Sequence, residues 1–259
     1  MFELSVSFVT DAEQQALPFH PDSPAGCWFE KYKTILGRFD FTFNNPYQVG
    51  GLGASSAEFL ALYRLTQHLL KEEILHPAQI ITDYHSVLPA QAFKPSGADI
   101  IGQYCQGVTI YRPNENRFYA MDWQFDNLSL LLFHTGKKLA THEHLSTFNL
   151  RFSADELIDC SASAIAAYEN RRVDGFIEAI QSYGQLLKHQ HLLAEHSQLL
   201  LEQIERLPQV LVSKGCGAMG ADVLLVLCES KESQVVIEQV TNLGLRFLAS
   251  EKNIALPCV

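Results

Sequence analysis

Apolar and polar residues alternate at the start of the chain, with Phe2, Leu4, Val6 and Phe8 on one side. This period of two predicts a strand over Met1–Thr10 with one buried face. A stretch containing Pro and Gly, Pro18 to Gly26, precedes a helical pattern over Trp28–Leu36, and Phe39, Phe41 and Phe43 then alternate as a second strand. From Ser56 to Glu73 the apolar residues Phe59, Leu62, Tyr63, Leu69 and Leu70 recur at helical spacing, so the Gly-rich turn before them feeds a helix N-terminus. A second glycine-containing turn, Lys94 to Asp99, leads into a short helix, and Gly107–Tyr111 reads as a strand.

Beyond Trp123, where a domain boundary is expected, Leu128–Phe133 is a continuous apolar strand followed by a Thr135-Gly136-Lys137 loop. Ser153 and Glu156 form a capping-box pattern for a helix reaching about Tyr168, and Asp174 can cap a longer helix that ends near Pro208. Strands at Val210–Ser213 and Val223–Cys228, a helix at Glu232–Leu243 and a strand near Leu245–Ala249 complete the chain. Strand, helices, strand, strand, helix, strand is the order of a split βαβ arrangement of ferredoxin-like type.

Composition adds exclusions. Of 259 residues, 47% are hydrophobic and 19% charged, enough apolar surface for a folded core. The formal charge of -10 argues against a nucleic-acid or anionic-membrane surface, since either needs clustered Lys and Arg to displace counterions. An anionic ligand must then be held by a few local cations and backbone amides. No apolar run is long enough to span a bilayer, and the start lacks a signal-peptide pattern. The six cysteines are scattered without a CxxC pair, so reduced thiols and a cytoplasmic location are expected. His191 and His196 are wrongly spaced for two ligands on one helical face and read as solvated.

Three glycine-containing turns stand out. Pro46 to Ala57 enters a helix; its Gly50, Gly51 and Gly53 would let backbone N–H groups approach a phosphate, and Ser55 and Ser56 can reach phosphate or Mg²⁺. The same stretch would also serve as a tight strand-to-helix turn. Lys94 to Asp99 puts a carboxylate at a helix start, where it can take a hydroxyl proton or simply act as a cap or dipole partner. Lys214 to Asp222 joins two strands and, taken alone, is a glycine-rich hairpin loop.

In order and together, these stretches resemble the three-motif signature of the GHMP kinases, a family that includes galactokinase, homoserine kinase, mevalonate kinase and phosphomevalonate kinase. Gly50–Ala57 is similar to the GLGSSA motif, Pro95–Asp99 to the PSGxD stretch and Gly217–Asp222 to the GAGGGD motif. The resemblance spans nearly the whole chain and implies an α+β, two-domain fold. Residues 1–124 would be an ATP-binding domain like the second domain of ribosomal protein S5, and 125–259 a ferredoxin-like domain, with ATP and substrate meeting in the cleft.

By the same resemblance, Gly50, Gly51, Leu52, Gly53, Ala54, Ser55 and Ser56 would cradle the ATP phosphates, Ser55 would contact Mg²⁺, and Asp99 would orient or deprotonate the acceptor. Ser96, Gly97, Lys137, Gly217, Ala218 and Asp222 would position the substrate. The phosphomevalonate kinase branch fits best, through Ala90-Gln91 before the second turn, His134-Thr135-Gly136-Lys137, and Asp222. The expected reaction is transfer of the ATP γ-phosphate to phosphomevalonate. The alternatives are mevalonate or another small hydroxyl compound as acceptor, or a truncated, non-catalytic binding protein.

Departures from the family pattern weigh on those alternatives. Ala54 stands where relatives usually carry a Ser, and Met219 and Ala221 replace two glycines. Nothing in Met1–Phe43 resembles the PGKxxLxGEY-like first motif. The first strand is therefore expected to lie at an exposed sheet edge, to favour association as a homodimer, and to leave this form weakly active or inactive.

Overall fold

Ser23 Oγ accepts from Gly26 N at 3.1 Å, and Pro24 follows at a position where the missing N–H costs nothing. Helix α1 (Pro24–Lys31) begins there and buries Trp28 and Phe29. The structure, a computed structural model, describes residues 3–8, 17–45, 52–71, 76–88, 95–115, 117–137, 155–216 and 222–257. The chain divides into two compact units. One comprises Met1–Gln48, Gly53–Met121 and Leu256–Val259, the other Val49–Leu52 and Asp122–Ala255.

In the first unit, β1 (Glu3–Phe8) pairs antiparallel with β2 (Phe39–Asn44), Val6 opposite Phe41. Helix α2 (Lys33–Leu36) lies between β1 and β2 in sequence, and helices α3 (Ala54–Leu70), α4 (Pro77–Ser86) and α5 (Ala98–Cys105) follow β2. An antiparallel pair, β3 (Val108–Arg112) and β4 (Arg117–Met121), completes the described elements. Trp28, Phe59, Leu62, Tyr63, Ile80 and Ile100 are fully buried at the centre. Trp28 Nε1 donates to Thr66 Oγ1 (3.0 Å), which donates to Leu62 O (2.8 Å), so the two buried polar groups are both satisfied.

The second unit is built on a four-stranded antiparallel sheet of β5 (Leu128–His134), β6 (Val210–Cys216), β7 (Val223–Glu229) and β8 (Arg246–Ser250), in the order β6-β7-β5-β8. Helices α6 (Asp155–Glu169), α7 (Val173–His189) and α8 (Glu195–Ile204) lie between β5 and β6 in sequence, and α9 (Ser233–Asn242) between β7 and β8. This is the ferredoxin-like arrangement that the order of elements predicts. Leu224, Val226 and Cys228 on alternate positions of β7 are buried with Val236 and Val240 of α9.

Some expectations need correction. The long helix expected from Asp174 to near Pro208 is two helices, separated at residues 190–194. His191 takes a left-handed backbone (φ 54°), and the apolar Leu192 and Leu193 are buried instead of continuing the helix. Arg172, not Asp174, stands at the N-cap of α7. The face of β1 expected to be buried is open at Val6 (38% exposed) and Phe8 (72%). Among the described residues β1 pairs with β2 alone; Leu4 is half-buried against the core and Phe8 rests on Phe39 at 4.9 Å between ring centroids. Helix α4 and strand β4 have no counterpart in the sequence reading, and Ser153 lies outside the described residues.

Candidate functional site

Helix α3 starts at Gly53, whose left-handed backbone (φ 71°, ψ 28°) is reached without penalty only by glycine. Among the described residues no side chain caps this end, and the first amides of α3 have no intrahelical partners, the arrangement that favours an anion. Ser55 is exposed, and Ser56 is buried. Ala54 and Leu52 are half-buried. Gly50 and Gly51 lie outside the described residues.

Helix α5 starts in the same way. Gly97 is left-handed (φ 76°), and a β-carbon on it would lie 2.4 Å from Ile81 Cδ1 of α4. Exposed Ser96 accepts from Ala98 N at 3.2 Å. The turn is tied to α4 by His85 Nε2, 2.8 Å from Pro95 O; since a carbonyl only accepts, Nε2 carries the proton. Ile81, His85, Pro95, Ser96 and Tyr111 line a hollow of about 500 Å³.

The two helix starts meet. A β-carbon on Gly53 would lie 3.3 Å from Asp99 Cβ and 3.4 Å from its Cγ, so the absence of a side chain at Gly53 is what admits the Asp99 carboxylate. Gln103, one turn along α5, donates through Nε2 to Gly53 O at 2.9 Å. The Tyr84 hydroxyl is nearby and buried; burial and the Asp99 charge raise its pKa, while a hydrogen bond from Ser56 opposes them. Asp99 itself is exposed, yet protein crowded on its other sides raises its pKa above the usual aspartate value. Contact with water limits that effect. Burial also raises the carboxyl of Glu58, on the next turn of α3.

A second group of predicted residues gathers at one end of the sheet in the other unit. Thr135 N donates to Asp222 O at 3.0 Å, bringing the His134–Lys137 loop to the end of the third glycine-rich stretch. Gly136 is left-handed (φ 79°) and its N–H donates to His134 Nδ1 at 3.0 Å; Lys137 is exposed. Burial and then Arg246 hold the pKa of His134 below the usual histidine value, against the opposing pull of Asp222. Gly217 and Ala218, like Ala90 and Gln91, lie outside the described residues. A cavity of about 300 Å³ lined by Gln185, Lys188, Gln198 and Ser213 contains none of the predicted residues. Amides and a carboxylate converge instead at Gly53 and Asp99.

Sequence reasoning picked out both helix starts but missed Gln103, Tyr84, Ile81 and His85. Only Gln103 left a local signal, four residues after Asp99 and therefore on the same helical face.

No family model matches the chain, and no curated protein does. Its fold, however, matches solved structures along nearly its whole length. Phosphomevalonate kinase of Streptococcus pneumoniae, in complex with phosphomevalonate and AMPPNP, superposes with a TM-score of 0.75 at 14% identity, covering 96% of this chain and 89% of that one. Mevalonate kinase of L. major in complex with R-mevalonate gives 0.66 at 15%, covering 92% and 76%. Homoserine kinase of Cytophaga hutchinsonii gives 0.65 at 11%, covering 99% and 86%. The chain has the fold of the GHMP kinases, as its motifs imply.

Proposed function

We propose that this chain, built on the GHMP kinase fold, transfers the γ-phosphate of ATP to a small metabolite of the mevalonate pathway, with phosphomevalonate the favoured acceptor. The observation that carries the reading is the meeting of two glycine-led helix starts at the Asp99 carboxylate. One offers amides without intrahelical partners for phosphate, and the other holds a group that can address the incoming oxygen. Likeness in fold to the phosphomevalonate- and mevalonate-bound kinases supports the acceptor class.

Phosphoryl transfer demands positioning and charge neutralisation more than covalent chemistry. The amides at the start of α3 bind the phosphates, and Gly53 keeps that surface open. Ser55 is exposed beside them, so its hydroxyl is available to a Mg²⁺ carried in on the nucleotide. Among the described residues no cluster of three or more His, Cys, Asp or Glu side chains could hold a metal. When bound, Mg²⁺ neutralises charge on the transferred phosphoryl group.

The role of Asp99 depends on the acceptor. A hydroxyl must lose a proton, and a carboxylate of raised pKa is a better base for it; a phosphate oxygen is already anionic and needs only orientation. Lys137 and Asp222 are assigned to the substrate, and Gly217 and Ala218 with them. No helix among the described residues is long and apolar enough to cross a membrane. The test is a coupled ADP-release assay with Mg-ATP and phosphomevalonate, mevalonate or no acceptor. Acceptor-dependent release, greatest with phosphomevalonate, is expected; release with neither acceptor above the blank would remove the proposal.

A further inference from the structure

We infer that Gln103 is a positioning residue for the nucleotide, acting through the Gly53 peptide; the inference rests on the function proposed above. Gly53 O accepts two hydrogen bonds. Ala57 N supplies the first intrahelical bond at 2.9 Å, and Gln103 Nε2 supplies the other at 2.9 Å from a residue fifty positions away. A peptide group is planar, so fixing the Gly53 carbonyl fixes the N–H of Ala54 on its opposite side. That N–H is the first amide of α3 and has no partner within the helix. Gln103 thus sets the direction in which the amide surface faces a phosphate.

The contact is specific to a carboxamide. Gln103 Oε1 is buried and has no hydrogen-bond partner among the described residues, whereas Nε2 holds the Gly53 carbonyl. A carboxylate in its place would set oxygen against the Gly53 carbonyl. Glycine at 53 is part of the same device, since a β-carbon there would lie 2.7 Å from Gln103 Nε2. Because Gln103 and Asp99 sit one turn apart on α5, a single short helix locates both the carboxylate and the phosphate-binding amides. The coupling matters more in this chain because Ala54 brings no hydroxyl to the loop, leaving backbone amides to carry more of the phosphate contact.

The test compares wild type with Gln103→Met, which keeps the length without a donor, and Gln103→Asn, which keeps the donor on a stem too short to span the gap. Calorimetry with Mg²⁺ and a non-hydrolysable ATP analogue should show about tenfold weaker binding in each, the scale of one net hydrogen bond. Melting temperatures should fall by only a few degrees, the scale of one net hydrogen bond. In steady state the nucleotide KM should rise by a similar factor, while the acceptor KM and the acid limb of the pH profile stay put. Folded variants with wild-type analogue affinity would overturn the role of Gln103 alone. If neither variant folds, Gln103 is a structural residue and the assignment fails. A wild-type protein that binds no analogue would overturn the kinase reading, and Gln103's role with it.

Discussion

Replacing Gly53 with Ala probes the site through a single methyl group. At φ 71° an L-residue pays roughly 1–2 kcal/mol for the left-handed backbone. The added carbon would also lie 2.7 Å from Gln103 Nε2, which must move, forfeiting a hydrogen bond worth about 0.5–1.5 kcal/mol net. Reduced freedom of the unfolded chain returns about 0.4–1 kcal/mol. The net expectation is a loss of roughly 0.5–3 kcal/mol, confined to the first unit. The two tryptophans separate the units, because Trp28 is buried in the first and Trp123 belongs to the second. In a Trp123→Phe background, urea unfolding followed by Trp28 fluorescence reads the first unit directly. Calorimetry on the same protein should show weaker binding of an ATP analogue. A variant within about 0.5 kcal/mol of its parent, with unchanged nucleotide affinity, would refute the reasoning, since neither the backbone cost nor the crowding against Gln103 and Asp99 would then exist.

Two further perturbations separate chemistry from scaffolding. Asp99→Asn should lower kcat at least about a hundredfold for a hydroxyl acceptor, and less for a phosphate acceptor that needs no base. Its melting temperature at neutral pH should be unchanged or higher: a carboxyl whose pKa is raised by folding favours the native state when protonated, so stability falls as pH rises from the ordinary aspartate value through the raised one. A mutant that unfolds at neutral pH would instead make Asp99 a structural cap. Gly97→Ala should destabilise the first unit by driving a β-carbon into Ile81 Cδ1, 2.4 Å away. Ile81→Val removes that atom, so the double mutant should recover part of the loss, as read from a double-mutant cycle; simple additivity would count against the packing described.

The sequence discloses elements whose burial follows a simple period. Phe59, Leu62 and Tyr63 announce α3, and the order of elements from Leu128 onward yields the ferredoxin-like sheet without knowledge of any contact. It is silent where tertiary packing overrides the pattern. Leu192 and Leu193 continue a helical run in the sequence, but they are taken into the core beside a left-handed His191, and the helix breaks. Alternation in β1 implies a buried face, yet whether Val6 and Phe8 are covered depends on neighbours that periodicity cannot supply.

The candidate site divides the same way. Glycines before a helix mark where a backbone can approach an anion, so Gly53 and Gly97 are visible in the sequence. That Gly53 faces Asp99, and that Gln103 and Tyr84 join them, depends on how α3, α4 and α5 pack. Residues distant in sequence meet there through side chains that carry no motif.

The claim on which the account rests is that the start of α3, opposed by Asp99, is where nucleotide phosphate binds. Titrating the isotope-labelled protein with Mg²⁺ and a non-hydrolysable ATP analogue, and following backbone amide resonances, tests it residue by residue. Saturable shifts are expected, largest at Gly53, Ala54, Ser55 and Ser56, with smaller ones at Asp99 and Gln103, all weakened by Gly53→Asp, which sets a carboxylate where the phosphate should lie. Saturable shifts elsewhere that leave these amides still and survive Gly53→Asp would contradict the claim.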